Sequence, residues 1–257
     1  MKTLVLYVFH ELNDRVNMFL KKAIFLDPDI DFLVINNGSE KEPILPDHVI
    51  YFKCENVGYD FGGWSRGLLY NDLYKDYDTF IFVNSFAMGP YLPSYYQGRW
   101  PDIYLNGLSS SVKLFGSTIN TGSINIVNDP ENCSHVQSYA FALDLEALTY
   151  LISKDLFSLS NNSSILPRLF IDKELRMSRL IIENGWNIGC LMNYYKGVDF
   201  RFLTKNPSEY TKPFLGEVMV SKNFSDKLFS NFYELVFIKG NRFDNSLNKR
   251  ILNLLEE

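Results

Sequence analysis

The chain has 257 residues, 46% of them hydrophobic and 21% charged, with a formal net charge of −5. That length suffices for one sizeable core, and the acidic balance excludes the basic stripe that a nucleic-acid-binding surface requires. No polybasic run marks a membrane-surface patch, and no apolar run approaches the roughly 18 residues of a transmembrane segment.

In chain order, residues 4–9 read as a first strand. They are not the core of a signal peptide, because His10-Glu11-Leu12-Asn13-Asp14 follows at once without a small-residue cleavage site. Residues 14–25 have helical spacing, and residues 31–35 form a second strand ending in the turn Asn36-Asn37-Gly38-Ser39. A third strand, 49–53, runs into Glu55-Asn56-Val57-Gly58-Tyr59-Asp60-Phe61-Gly62-Gly63-Trp64. Behind it, Ser65-Arg66-Gly67-Leu68-Leu69 reads as the start of a helix through residue 73. Residues 79–83 are apolar throughout, as a central parallel strand should be. This βαβα order predicts an α/β fold with a doubly wound, mostly parallel sheet and a site at the strands' carboxyl ends, where glycines bring backbone close to a nucleotide.

Beyond residue 84 the alternation changes. Strands are expected at 112–116, 137–143 and 187–191, and helices at 144–151 and 172–184, the second stopped by Gly185. A strand at 235–238 and a helix at 245–255 follow a polar stretch. The division is a domain over 1–200 and a C-terminal extension, 201–257, packed on it. The aromatic content of 16%, with 21 Phe and 16 Tyr, reads first as a Phe-rich core. Cys54, Cys133 and Cys190 are odd in number and lack C-x-x-C spacing, so they read as reduced thiols in a cytoplasmic protein.

Absences narrow the chemistry. The chain has no G-x-G-x-x-G, no G-x-x-x-x-G-K-[ST] and no G-x-S-x-G, and its three histidines are scattered. A Rossmann-like sheet without either phosphate motif leaves nucleotide-sugar enzymes as a leading class. Among single residues, Asp60 has two compatible readings. It is a carboxylate at a helix N-terminus, or a contact to sugar hydroxyls or a metal. Asp172 and Glu174, two apart on a helix, do not share a face, so one belongs to the site and the other is a solvated charge. Position favours Asp172. His10, at the end of the first strand, and His135 are further candidates.

Several segments resemble the GT-A glycosyltransferases. Residues 32–35 with Asn36-Asn37-Gly38-Ser39 look like their D-D-G-S turn, and Glu55-Asn56-Val57-Gly58 resembles their E-N-x-G loop. Residues 77–85 match the strand carrying the metal motif, and Asp172-Lys173-Glu174-Leu175 with Arg179 and Gly185-Trp186 resembles the helix with the base. The variants in Phe82-Val83-Asn84-Ser85, Lys113-Leu114-Phe115-Gly116, His135-Val136-Gln137-Ser138 and the terminal Phe237-Ile238-Lys239 are similar to the rhamnan-synthesis-type branch, which includes a glycosyltransferase domain of a large chlorella-virus protein.

The resemblance implies a UDP-sugar donor of UDP-glucose or UDP-rhamnose type, a glycan hydroxyl as acceptor, and a divalent cation, Mn or Mg. It places Phe9, His10, Asn36 and Asn37 at uridine, Asn56, Gly58 and Gly63 in the donor loop, and Asp60, Asn84 and Ser85 at diphosphate and sugar, while Gly116-Ser117-Thr118 and His135-Val136-Gln137-Ser138 shape the acceptor side. Asp172 becomes the general base, with Asp60 the second catalytic carboxylate. One departure stands out: Asn84-Ser85-Phe86 occupies the place of D-x-D, and Asp76-Tyr77-Asp78, which spells it, precedes the strand. Two rival readings remain, a sugar nucleotidyltransferase and an inactive sugar-nucleotide-binding relative.

Overall fold

The computed structural model describes residues 1–38, 41–121, 134–160, 170–201, 218 and 232–242. Ser39, Cys133, the expected helix at 245–255 and most of the 201–257 extension lie outside them. Seven strands form the central sheet: β1 (Thr3–Phe9), β2 (Ile30–Asn36), β3 (Ile50–Lys53), β4 (Thr79–Asn84), β6 (Val112–Gly116), β9 (Ala140–Asp144) and β10 (Asn187–Cys190). Their order across the sheet is β10-β6-β9-β4-β1-β2-β3. Every pairing is parallel except those of β9, which runs antiparallel to both β4 and β6. The expected α/β, mostly parallel architecture is present.

The chain steps outward from β1 to β2 to β3, then returns to the far side of β1 to lay down β4. The carboxyl ends of β1 and β4 therefore flank a topological switch point, where connections leave in opposite directions and open a crevice. Strands β1 and β4 are buried along their whole length, which is why their sequences are continuous apolar runs. Asp76-Tyr77-Asp78 lies at the opposite end: the Lys2 N–H donates to Asp78 Oδ2 at 2.7 Å, and the Tyr77 hydroxyl to Asp31 Oδ2 at 2.8 Å.

Both faces of the sheet carry aromatic clusters. On one, Phe19 of α1 (Asp14–Lys22) stacks on Tyr7 at 3.8 Å, and Trp100 of α3 (Trp100–Leu105) meets Phe237 edge-on at 5.0 Å. On the other, Trp64 packs edge-on against Phe82 and Phe141, which stack on each other at 4.7 Å. The aromatic surplus is thus largely core. Helices α4 (Leu145–Ser153) and α5 (Arg176–Glu183) follow β9 and precede β10. Two small antiparallel pairs stand beside the sheet: β5 (Ala87–Met88) with β11 (Ile238–Lys239), and β7 (Ile119–Asn120) with β8 (His135–Val136). Residues 232–242 reach the body of the fold through β11, through Tyr91 N–H donating to Val236 O at 2.7 Å, and through Phe237. Among the described residues, Cys54 and Cys190 form no disulfide, and burial pushes the Cys190 thiol up to about 12.

Helix α2 departs from its expected start. It spans Tyr59–Leu69, six residues earlier than Ser65, so Gly62, Gly63 and Gly67 lie inside it. Glycine costs about 1 kcal/mol relative to alanine in a helix interior, which argues for a loop on local grounds. Tertiary packing overrides that cost. A Cβ on Gly63 would stand 2.7 Å from Val8 Cγ2, and one on Gly62 only 1.8 Å from the Val57 carbonyl oxygen. The glycines let α2 lie close against β1 and let the preceding loop fold back over it. Gly62→Ala should therefore invert the usual helix rule and destabilise the protein by about 1 to 3 kcal/mol in urea unfolding, where open-helix propensity alone would stabilise it.

Candidate active site

The carboxyl edge between β1 and β4 gathers side chains from five parts of the chain. Asn84 ends β4, Ser85 follows it, and both are buried. The Asn84 Oδ1 accepts the Phe86 N–H at 3.0 Å, which fixes the amide orientation, and Nδ2 then donates to Asp60 Oδ2 at 2.8 Å. Asp60 sits in the first turn of α2, whose N-cap Gly58 takes the left-handed φ of +80°. The helix-terminal placement expected of Asp60 is present.

Burial raises the Asp60 carboxyl to about 7, with Glu174 adding to the rise and the Asn84 hydrogen bond and Lys239 opposing it. Glu174 behaves in the opposite way. Burial alone would raise it, but His135, Lys239 and Ser138 outweigh that and hold it down at about 2. The Ser138 N–H donates to Glu174 Oε2 at 2.9 Å, the Ser138 hydroxyl donates to the same oxygen, and His135 Nε2 lies 3.6 Å from Oε1. The two carboxyl groups interact, yet their environments push them apart, so that one exchanges its proton near neutrality and the other stays ionised.

The helical segment that supplies Glu174 is not regular. A π-helical turn, Phe170–Leu175, precedes α5. Lys173, Glu174 and Leu175 are all buried, a run of three that a regular amphipathic helix does not bury together. Wide turns of this kind recur at functional sites. Of the two, Glu174 is the one buried beside His135 and Ser138, and Asp172 is exposed.

The remaining candidates divide between frame and edge. Asn36 donates through Nδ2 to the Tyr51 hydroxyl at 3.0 Å, and Asn37 donates to Tyr59 O at 3.0 Å and to Asn56 Oδ1 at 3.3 Å. Both are buried: Asn36 ties the end of β2 to β3, and Asn37 ties the turn after β2 to the loop behind β3 and the start of α2. Phe9 and Gly63 are buried in the core, whereas His10 and Asn56 are exposed at the edge. His135 is fully buried on β8, beside Glu174.

The divalent cation implied by the resemblance does not fit this donor set. Asn84 spends its amide oxygen on a backbone N–H and its amide protons on Asp60. Among the described residues, no three His, Cys, Asp or Glu side chains converge as metal ligands.

Sequence reasoning missed Arg15 and underweighted Lys239, both of which act on this edge. Arg15 Nε donates to Ser85 O at 3.0 Å, and Lys239 acts on both Asp60 and Glu174. Lys239 was within reach as part of the terminal Phe-Ile-Lys segment. Arg15 carries no motif, and only its position one turn after β1 marks it.

No protein-family model matches the chain. Two curated relatives do: Virulence protein VirA of Vibrio anguillarum strain ATCC 68554 / 775 and the protein of the same name from Vibrio anguillarum. Each is 24% identical over 144 residues, covering 55% of this chain and 41% of the relative. The matched segment spans less than half the length of those relatives. Among solved structures, a chain from Desulfovibrio desulfuricans G20 provisionally named a nucleotide-diphospho-sugar transferase aligns with a TM-score of 0.42 and 11% identity, over 81% of this chain and 96% of that one. The apo-form glycosyltransferase GlyE of Streptococcus pneumoniae TIGR4 aligns with a TM-score of 0.38 and 9% identity, over 76% of this chain and 46% of that one.

Proposed function

We infer that the protein is a glycosyltransferase that moves a sugar from a UDP-sugar, of UDP-glucose or UDP-rhamnose type, to a hydroxyl of a glycan. The observation that carries this reading is the pair of oppositely shifted carboxyl groups, the half-buried Asp60 and the buried Glu174, at the carboxyl edge of a mostly parallel sheet beside its switch point. The motif series from Asn36 to Lys239 supports the same class and, within it, the rhamnan-synthesis-type branch.

In the reaction, the acceptor oxygen bonds to the anomeric carbon while the bond from that carbon to the diphosphate oxygen breaks. The electron pair leaves with the diphosphate. The acceptor's proton goes to Asp60, whose carboxyl lies in the range where a general base works at neutral pH. Glu174 stays ionised and, fixed by Ser138, orients the acceptor side of the cleft. It replaces Asp172 in the role assigned to the helix carboxylate. Ser117 and Thr118 are buried next to this wall, with Thr118 donating to Gln137 Oε1 at 2.7 Å.

Calorimetry with UDP and a transfer assay with UDP-glucose and UDP-rhamnose test the reading. Saturable UDP binding with release of UDP from the donor is expected. Absence of UDP binding would overturn it, and binding without donor turnover would select the inactive relative instead.

A further inference from the structure

Two cations from distant parts of the chain are pinned to the same turn beside Asn84. Arg15, in the first turn of α1, is oriented by its Nε bond to Ser85 O, and its Cδ packs where a Cβ on Gly240 would come within 2.8 Å. Lys239 pairs with Ala87 across the β5–β11 ladder, and the Gly240 N–H donates to Phe86 O at 2.8 Å. The Arg15 side chain and the backbone that carries Lys239 are thus both fixed on residues 85–87, immediately after β4. Lys239 acts electrostatically on Asp60 and Glu174 together. Arg15 and Asp60 both act on the Tyr7 hydroxyl, which is buried and has no hydrogen-bond partner among the described residues. Arg15 and Lys239 therefore stand at the carboxyl end of β4, within electrostatic range of Asp60.

Two carboxylates alone would repel a nucleoside diphosphate. A guanidinium with its Nε already committed presents its remaining N–H groups in a fixed plane suited to phosphate oxygens, and an ammonium adds a compact point charge. Asn84-Ser85, where the resembling enzymes carry carboxylates, leaves room for these cations without a metal between protein and phosphate. We propose that Arg15 and Lys239 hold the diphosphate of the donor and stabilise it as it leaves, so that donor binding requires no divalent cation. This rests on the glycosyltransferase reading above.

The test is UDP binding by calorimetry in EDTA and in Mn²⁺, with uridine binding followed by saturation-transfer NMR. Wild-type protein should bind UDP with the same affinity, within about threefold, in both buffers. Arg15→Met and Lys239→Met should each weaken UDP by about 10- to 100-fold, the scale of a lost charge-assisted contact, and leave uridine binding unchanged. Arg15→Lys, which keeps the charge, should recover part of the loss, and retained uridine binding shows that the variants are folded. UDP binding that appears only with Mn²⁺ overturns this inference while the glycosyltransferase reading stands. UDP and uridine binding that fall together, or UDP affinity untouched in both methionine variants, also overturns it. Wild-type protein that binds UDP in neither buffer removes both.

Discussion

Asp60→Asn is expected to lower sugar transfer by about 10²- to 10⁴-fold and, in the same protein, to raise thermal stability at about pH 8. The first effect follows from removing the proton acceptor while keeping shape, since an amide oxygen at position 60 still accepts the Asn84 Nδ2 hydrogen bond. The second follows from linkage. The folded-state carboxyl titrates at about 7 against an ordinary 3.8. Between those values the native state holds a proton that the unfolded chain has lost, so stability falls as pH rises from about 4 to about 7 and is level above. The neutral asparagine removes that decline.

Asp60 keeps some solvent contact. The gain at pH 8 is therefore set at roughly 1 to 3 kcal/mol, below what full burial would give at about 1.4 kcal/mol for each pH unit between the two values. Melting curves of the two proteins at pH 5 and pH 8 check it: the gap at the lower pH should be well under half of that at the higher. A variant less stable than wild type at pH 8, or one with undiminished transfer, would remove Asp60 from this role.

Glu174→Ala is expected to destabilise the protein by about 2 to 4 kcal/mol at pH 7, because it strips the acceptor from two Ser138 donors and the counter-charge from beside Lys239. The linkage sign is opposite to that of Asp60. Glu174 is held at about 2, below its ordinary 4.5, so its contribution is complete above about pH 4.5 and is lost as pH falls through 2. Guanidinium unfolding at pH 7 and pH 3 should therefore show a gap between wild type and variant that narrows on acidification. Asp172→Ala serves as the contrast. Its exposed side chain predicts a change within about 0.5 kcal/mol and unaltered transfer. A large effect at Asp172 with none at Glu174 would favour Asp172, the assignment drawn from its position in the sequence.

Much of the frame is legible in the chain itself, for local reasons. Residues 79–83 are apolar on both alternations, and only a strand covered on both faces tolerates that, so β4 could be placed in the middle of a parallel sheet, and residues 4–9 could be read as a strand. The site's location at the carboxyl ends followed from the βαβα order. Short elements were less visible. Strands β5, β7 and β11 are two residues each, too short for a period to declare itself, and β11 lies at the end of the run expected to be the strand.

What the sequence determined by itself was the sheet, its buried strands and the neighbourhood of Asp60 and Asn84, because hydrophobic pattern and turn chemistry are read within a few residues. Only the tertiary structure decided the rest. Local propensity assigns Gly62 and Gly63 to a loop, and the close approach of α2 to β1 makes them helix. Spacing says that Asp172 and Glu174 face apart but not which faces the site, and the π-helical turn sets that phase. Arg15 and Lys239 stand more than two hundred residues apart, and the pairing of β11 with β5 puts them on one turn beside Asn84. Their charge is a property of the fold's closure, which no stretch of sequence contains.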